Sequence, residues 1–409
     1  MPIYLDNNAT TQPLPEVIEA VAGALREHWP NPSSVHRAGQ SVRRAVDLAR
    51  RSVAGLVGAK PRDVVFTSGA TESIDLALRG LLDSPPGTAP ERALITTAIE
   101  HEAVRDVAGE LATRHAVRHR TLALDAIGRV DLDDLRAALA EPGAALVSVQ
   151  WANNETGVIQ PVREIGLACR AASVPFHCDA TQWVGKMPTV IDWGARQGFG
   201  ANQSAGDAVP VDLLSCSAHK FHGPKGVGAL VVRRGLGFRP MLLGTQELGR
   251  RGGTENVPGI VGMGAAAEAA AAWLADHAER DQLAAARDRF EQAVLERVQD
   301  AAVNPPAVPD QPGARLWNTT NIAFPGLEAE ALLLLLSERG LAASAGAACS
   351  SGSLDPSPVL LAMGIPERVA HGSLRFSLSR FTTDHELDDA AAIIADSVER
   401  LRHTSPIPT

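Results

Sequence analysis

The sequence predicts an α/β fold built on a mostly parallel sheet, followed by a smaller α+β domain. Short apolar runs of strand length alternate with helical patterns through the first two-thirds of the 409 residues. These runs lack the polar alternation of a strand with one face in water, which indicates strands covered on both faces. Because strands alternate with helices, the sheet is expected to be parallel. The length favours two domains over one core.

The predicted elements follow one another along the chain in this pattern. The predicted strands are 63–67, 92–98, 144–152, 174–180 and 211–218, with helical patterns such as 72–82 and 161–173 between them. An Ala-rich segment, 262–298, is predicted to form one or two helices that link the domains. A strand within 316–326 and a helix within 328–340 then begin the smaller domain. The Gly- and Ala-containing stretch 194–210 is predicted to be an irregular surface loop.

Composition excludes several classes of protein. Apolar residues make up 45% and charged residues 21%, as in a soluble globular protein. The net charge of -9 argues against a nucleic-acid partner. No apolar run suggests a bilayer-spanning segment and the start resembles no signal peptide, so a cytoplasmic location is expected. The cysteines show no CxxC pairing, which argues against a disulfide framework and a metal site; they are Cys169, Cys178, Cys216 and Cys349.

The stretch 67–80, TSGATESIDLALRG, follows a strand and opens a helix. Its small residues would let backbone amides approach an anion, and a helix start offers free N–H groups and a positive dipole. Thr71 and Ser73 would add hydroxyl donors. The alternative, with about even odds on this stretch alone, is that Thr71 only caps the helix.

Polar residues also follow the other predicted strands. Each one alone has a plainer interpretation, as a turn former, a helix cap or a solvated end, but the carboxyl ends of parallel strands are where this architecture binds ligands. The residues are His101, Asn154, Asp179, Gln182 and Lys220. Pyridoxal phosphate requires a helix start that binds its phosphate, an Asp that binds its pyridine nitrogen and a Lys that forms a Schiff base with it.

Ten stretches resemble cysteine desulfurases of the NifS/IscS type, within the class V aminotransferase family of fold-type I pyridoxal-phosphate enzymes. They span nearly the whole chain in family order: YLDNNATT (4–11), NPSSVHRAG (31–39), SGATES (68–73), EHEAV (100–104), NNETGVIQP (153–161), HCDATQ (177–182), SAHKFHGPKGVG (217–228), RGGTEN (251–256), GAACSSGS (346–353) and LRFSLSRFT (374–382). The resemblance implies a large domain, 14–265, around a seven-stranded sheet. It also implies a small domain formed by 1–13 and 266–409.

The resemblance implies a role for each matching site residue. Lys220 is the expected Schiff-base lysine, Asp179 the partner of the pyridine nitrogen, and His101 a proton carrier stacked on the ring. Gln182 is expected to bind the phenolic oxygen. The other expected cofactor ligands are Ala70, Thr71, Asn154, Ser217, His219 and, from the neighbouring subunit of a homodimer, Thr254. The expected substrate ligands are Arg375, Asn154 and Asn31.

Cys349 lies in a stretch rich in small residues, about 343–356, which predicts a loop whose thiol is accessible. The other three cysteines lie within apolar runs and are predicted to be buried and inert. By resemblance to the first desulfurase group, Cys349 takes sulfur from L-cysteine as a persulfide. Alanine is released, and the sulfur passes to an acceptor such as an iron–sulfur scaffold.

Two alternatives remain open from the sequence. The first is a selenocysteine lyase or another fold-type I pyridoxal-phosphate enzyme; an aminotransferase with tyrosine at the phenolic oxygen fits less well, because Tyr4 is the only tyrosine. The second is a non-catalytic sulfur-relay relative that keeps the fold. The intact set of Lys220, Asp179, His101 and Cys349 favours a catalyst.

Overall fold

The structure is a computed structural model, which describes residues 2–83, 92–115, 117–193, 208–305, 314–346 and 355–404. Its strands are β1 (Ile3–Tyr4), β2 (Val64–Thr67), β3 (Arg92–Thr97), β4 (Val117–Leu122), β5 (Ala144–Gln150), β6 (Phe176–Asp179), β7 (Leu213–Ser217), β8 (Gly228–Val232), β9 (Ala302–Val303), β10 (Thr319–Ala323), β11 (Leu341–Ala342) and β12 (Ser373–Ser377). Its helices are α1 (Pro15–Glu27), α2 (Arg37–Leu56), α3 (Ala70–Leu82), α4 (Glu102–Arg114), α5 (Leu132–Ala140), α6 (Val162–Ala172), α7 (Val257–Leu274), α8 (His277–Arg297), α9 (Ala329–Glu338), α10 (Pro358–Ala362), α11 (Glu367–Ala370) and α12 (Asp384–Thr404).

A seven-stranded sheet has the order β2-β8-β7-β6-β5-β3-β4. All neighbours pair in parallel except β8, which is antiparallel to both β7 and β2. The prediction of a mostly parallel sheet is therefore confirmed. Each of the five predicted strands is present, and β4 and β8 join them. Because β2, β3, β5, β6 and β7 run in one direction, their carboxyl ends lie at one edge of the sheet.

The sheet is covered on both faces, as the apolar runs predicted. Along β2, Val64 and Phe66 belong to one core cluster, whereas Val65 between them belongs to another. Alternate residues of a strand point to opposite faces, so both faces of β2 pack against helices. Helices α3 and α4 cover the face that Val65 joins. The other face contacts α2, α6 and α7, among others.

Helix α7 is the one helix among the described residues that is long and apolar enough to cross a membrane, judged by length and composition only. Half of its residues are buried within the protein, where it packs against α1 and α2. The approach to α2 is close, since a Cβ at Gly264 would lie 2.7 Å from Ala49 Cα. These contacts are those of a core helix in a globular protein, and α7 with α8 forms the predicted Ala-rich helical segment.

A second core lies around the three-stranded sheet β12-β10-β9. Helices α8, α9 and α12 contribute its apolar side chains, and β1 pairs in parallel with β11 beside it. The N-terminal strand therefore belongs with the C-terminal part of the chain, although the exact bounds of the predicted domains stay a prediction. The strand and helix predicted within 316–326 and 328–340 are β10 and α9. Of the predicted loop 194–210, residues 194–207 lie outside the described part of the chain.

Candidate active site

The first element of the site is the start of α3, which follows β2 after two residues. Gly69 is the N-cap residue and no side chain caps the first turn, so the alternative in which Thr71 caps the helix is wrong. A Cβ at Gly69 would lie 3.7 Å from Ser217 Oγ, and one at Gly228 would lie 2.7 Å from Gly69 Cα. Gly228 therefore lets the helix start approach β8 closely, while Ser217 at the end of β7 lies beside Gly69. An uncapped helix start with hydroxyls beside it is a binding site for an anionic group.

His101 lies where the chain leaves β3 and enters α4. It is the N-cap residue of α4, and its Nδ1 accepts a hydrogen bond of 3.1 Å from the Ala103 backbone N–H. Because Nδ1 is the acceptor, the neutral ring has its proton on Nε2. His101 therefore caps the helix with Nδ1, and the Nε2–H of its half-buried ring is its remaining donor. The capping bond fixes which nitrogen can exchange a proton.

Asp179 ends β6 and is buried. Its Oδ1 accepts hydrogen bonds from Ser215 Oγ at 3.2 Å and from the Thr181 N–H at 3.1 Å. Ser215 also contacts His177 Nε2 at 3.2 Å, and burial lowers the pKa of His177 to about 4. The histidine beneath Asp179 is therefore neutral at pH 7 and brings no positive charge to the carboxylate.

Glu100 is a second carboxyl group near Asp179, and it is fully buried. It accepts a hydrogen bond of 2.6 Å from Thr97 Oγ1 and one of 2.8 Å from the Gln150 N–H. Burial, together with the nearby charge of Asp179, raises its pKa to about 8. The neutral form of Glu100 is therefore favoured at pH 7, directly before His101 in the chain.

Asn8 is the residue at which the site comes together. Lys220, half buried in a short 3₁₀ turn after β7, donates to Asn8 O at 2.6 Å and to Ala9 O at 2.9 Å. Gln182 Nε2 donates to Asn8 O at 2.9 Å, and Lys186 Nζ donates to Asn8 Oδ1 at 2.8 Å. Side chains that follow the ends of β6 and β7 therefore meet at a single residue of the N-terminal segment, Asn8.

Arg375 on β12 closes the site from the side of the second core. It is buried, and it donates to Asn154 O at 3.1 Å and to Asp6 Oδ1 at 2.6 Å. Asn154 O also accepts from Asn8 Nδ2 at 3.1 Å, which joins this arginine to the lysine cluster. The buried Nε of Arg375 has no hydrogen-bond partner among the described residues. A buried donor without a partner costs free energy, so an anionic ligand that reached this N–H group would bind favourably.

His219 directly precedes Lys220. Its Nδ1 lies 3.2 Å from Thr10 Oγ1, and its backbone oxygen accepts from the Thr11 N–H at 2.9 Å. Burial, together with the charge of Lys220, lowers the pKa of His219 to about 4. The ring is neutral at pH 7, so it can serve a ligand only as a hydrogen-bonding group.

Glu155 anchors both flanks of the segment that contains Cys349. Its Oε2 accepts a hydrogen bond of 2.5 Å from Ser357 Oγ at the start of α10. On the other flank, Gly346 has a φ of +82°, and a Cβ there would lie 2.5 Å from the same Oε2. Only glycine fits this position, because its conformation and its closeness to Glu155 both exclude a side chain. Burial raises the pKa of Glu155.

The three cysteines that the structure describes are buried, as the sequence predicted. Cys169, Cys178 and Cys216 are buried free thiols. Burial raises the pKa of Cys169 and of Cys216 to about 12 and that of Cys178 well above its usual value, so none forms a thiolate at neutral pH. Cys349 and the neighbouring residues 347–354 lie outside the described part of the chain.

Two predicted ligands lie apart from this cluster. Asn31 is exposed on a turn before α2, where its side chain accepts from the Ser33 N–H at 2.8 Å. Thr254 is exposed and lines a cavity with Thr67 and Ser68 of its own chain, next to the start of α3. Their predicted roles stay predictions.

Sequence reasoning did not single out three of the buried polar residues: Asn8, Glu100 and Lys186. A signal for Lys186 existed, since it ends the apolar stretch WVGK much as Lys220 ends SCSAHK. Asn8 and Glu100 lie inside the quoted stretches YLDNNATT and EHEAV, but nothing local indicates burial. Their positions follow from the approach of distant segments.

The chain belongs to the aminotransferase class-V family, whose pattern it matches over residues 3–389. It is 45% identical over 405 residues to cysteine desulfurase 2 of Trichormus variabilis, covering 99% of this chain and 95% of that protein. A solved NifS-like protein is similar with a TM-score of 0.85 and 33% identity, over 98% of this chain and all of that one. SspA, solved in complex with cysteine, has a TM-score of 0.75 and 31% identity over 93% and 99% of the two chains. The predicted resemblance and fold type are confirmed.

Proposed function

We propose that this protein is a pyridoxal-phosphate-dependent cysteine desulfurase, which moves the sulfur of L-cysteine to Cys349 and releases L-alanine. The observation that supports it most is the convergence of Lys220, Gln182 and Asn154 on Asn8, at the sheet edge that ends with Asp179. The relatives named cysteine desulfurase and the SspA structure with cysteine support the choice of substrate.

The residues present fit the cofactor. The uncapped start of α3, with Ser217 beside Gly69, suits a phosphate, and the Asp179 carboxylate suits a pyridine nitrogen. The amine of Lys220 donates to the backbone oxygens of Asn8 and Ala9 at the edge of the sheet where Asp179 lies, a position that suits a Schiff base. When bound, pyridoxal phosphate supplies an electron sink for the carbon skeleton of the substrate. Ala70, Thr71, His219 and Asn154 are the further ligands we propose.

The protein side chains have distinct proposed tasks. Lys220 accepts the α-proton of the substrate, and His101 exchanges protons through Nε2, since Nδ1 is used in capping α4. Arg375 and Asn154 hold the substrate, and the free Nε–H of the arginine is the donor that the carboxylate meets. Asn31 is a further substrate ligand in this proposal.

The sulfur transfer balances without an external oxidant or reductant. The Cys349 thiolate attacks the substrate sulfur, so that an S–S bond forms while the bond between Cβ and sulfur breaks. The bonding electron pair stays with the carbon, which takes up a proton and leaves as alanine. Splitting one difficult cleavage into two easier steps is the benefit of covalent catalysis.

We also propose a cytoplasmic homodimer that gives its sulfur to an acceptor protein such as an iron–sulfur scaffold. Thr254 would reach the cofactor phosphate of the partner subunit. Exposed leucines near Thr254 support a subunit contact, since Leu243 is 84% and Leu248 is 72% exposed. Sedimentation of the purified protein measures this association.

Product analysis tests the proposed reaction. The protein, loaded with pyridoxal phosphate, is incubated with L-cysteine and a thiol reductant, and alanine and sulfide are quantified. We expect equal amounts of both. Pyruvate in place of alanine would indicate β-elimination, and turnover of L-selenocysteine alone would indicate the lyase. Bound cofactor without any turnover would favour the non-catalytic relay.

The Arg375→Lys variant tests the proposed carboxylate site. Lysine keeps the charge but loses the planar set of donors, so we expect the KM for L-cysteine to rise by about 10- to 100-fold, the equivalent of one charged hydrogen bond of about 1.5–3 kcal/mol. Visible absorbance of the bound cofactor should not change. Arg368→Lys, on the exposed surface of α11, is the matched control and should keep the wild-type KM. An unchanged KM in Arg375→Lys would contradict the assignment.

A further inference from the structure

Lys186 is a second lysine of the site, and its side chain is only 5% exposed. Its amine donates to Asn8 Oδ1 at 2.8 Å and to Gln182 Oε1 at 2.6 Å. Its backbone is fixed as well, because its carbonyl accepts from Trp317 Nε1 at 3.1 Å. Lys186 and Lys220 line the same small cavity and donate to the same asparagine. The lysine is therefore held at both ends beside the group that would form the Schiff base.

A buried amine at this position is costly. Lysine is rarely buried, and burial lowers the pKa of Lys186 well below its usual value, with Lys220 and Arg375 lowering it further. The ionisable groups that face it are Lys220, Arg375, His219 and His222. None of these is an acid that would compensate a charged amine. An apolar side chain of equal volume would be easier to accommodate, so the amine points to a task beyond packing.

The amine determines how the Gln182 side chain is turned. A lysine amine near this amide acts as a donor, so the atom facing it must be the carbonyl Oε1. The NH₂ group of Gln182 then faces the other way, where one N–H donates to Asn8 O at 2.9 Å. The amide has a second N–H, and its direction is fixed by the same two bonds.

We propose that Lys186 is a positioning residue that fixes the Gln182 amide so that an N–H, and not the carbonyl oxygen, faces the phenolic oxygen of the cofactor. This inference rests on the proposed function, since it requires pyridoxal phosphate beside Gln182. Without Lys186 the amide keeps only its bond to Asn8 O, so its plane can rotate about that bond and the second N–H can turn away from the phenolic oxygen. The lysine thus acts on the cofactor through the glutamine.

The test follows the visible absorbance of the protein-bound cofactor as a function of pH. A hydrogen bond to the phenolic oxygen disfavours protonation of the adjoining Lys220 nitrogen, so its loss raises the pH midpoint of the spectral change. We expect Lys186→Met to raise the midpoint by about 0.5 to 1 pH unit, the size of one neutral hydrogen bond. An unchanged midpoint overturns the inference. Lys186→Leu is the second variant if Lys186→Met does not fold.

A double-mutant cycle separates positioning from a direct effect of the lysine charge. If Lys186 acts through Gln182, then Gln182→Leu alone shifts the midpoint, and adding Lys186→Met shifts it no further. If the lysine acts by its own charge, the full additional shift remains in the Gln182→Leu background, and the inference is overturned. The cycle uses the complete, cofactor-loaded protein throughout.

Two further measurements complete the design. Lys225→Met changes an exposed lysine near Lys220 and should leave the midpoint unchanged. Thermal unfolding should show Lys186→Met to be at least as stable as wild type; a purely structural role would instead lower its Tm while leaving the midpoint in place, which overturns the inference. Wild-type protein that gains no visible absorbance from pyridoxal phosphate would contradict the proposed function itself.

Discussion

Lys220→Ala is expected to abolish the visible absorbance of the protein-bound cofactor and to reduce alanine formation below detection. In the proposed function this amine forms the Schiff base, and its Nζ lies 2.6 and 2.9 Å from the backbone oxygens of Asn8 and Ala9. Removing it deletes both the covalent link and the proposed proton acceptor. When catalytic groups depend on one another, the loss of a single group abolishes nearly all activity. Absorbance spectra and the alanine assay measure the two effects.

The matched control is Lys225→Ala, five residues further along the chain. Lys225 is exposed in the glycine-rich turn between β7 and β8, so its amine is expected to stay in solvent and not to form the Schiff base. We expect this variant to retain wild-type absorbance and turnover. Retained visible absorbance and turnover in Lys220→Ala would contradict the assignment, and equal losses in both variants would point to a general effect of the turn.

Cys349→Ser is expected to bind the cofactor normally and to form no protein persulfide from L-cysteine. Serine is close in size but its hydroxyl is not a thiolate, so the S–S bond of the proposed transfer cannot form. Alanine production should fall by at least about 100-fold, in keeping with the loss of a covalent nucleophile. Mass spectrometry of the intact protein after brief exposure to L-cysteine measures the added sulfur directly.

The control for this variant is Cys169→Ala on α6. Burial raises the pKa of Cys169 to about 12, so this thiol supplies no nucleophile at neutral pH. The variant should take up sulfur at the wild-type rate, with at most a modest loss of stability from the small cavity. Full alanine and sulfide production by Cys349→Ser would rule out the persulfide role.

The central sheet could be predicted because its strands are buried on both faces, which leaves continuous apolar runs in the sequence. β4 was missed for the converse reason. It is an edge strand, VRHRTL, in which four consecutive polar residues lie between two apolar ones and several side chains remain accessible. β8 follows a glycine-rich turn, and nothing local indicates that it runs antiparallel within an otherwise parallel sheet.

The site residues that could be predicted from the sequence are those with reactive side chains directly after the end of a strand. Asp179 and Lys220 stand at such ends, and the architecture brings these ends to one edge. Asn8 could not be recognised in the same way, because its neighbours Gln182 and Lys186 are more than 170 positions away. Asn8 contacts these residues because the N-terminal segment lies against the ends of β6 and β7. Local sequence patterns cannot encode which distant segment will meet a strand end.

Glu155 contacts the chain on both sides of the segment that contains Cys349. The carboxylate holds Ser357 on one flank and packs against Gly346 on the other. Only three residue steps separate Gly346 from Cys349, and a fully extended chain covers at most about 3.6 Å per step. The cysteine Cα therefore stays within roughly 11 Å of Gly346 while this anchor holds. In the proposed sulfur transfer, an acceptor would therefore have to approach this part of the protein closely to collect the sulfur.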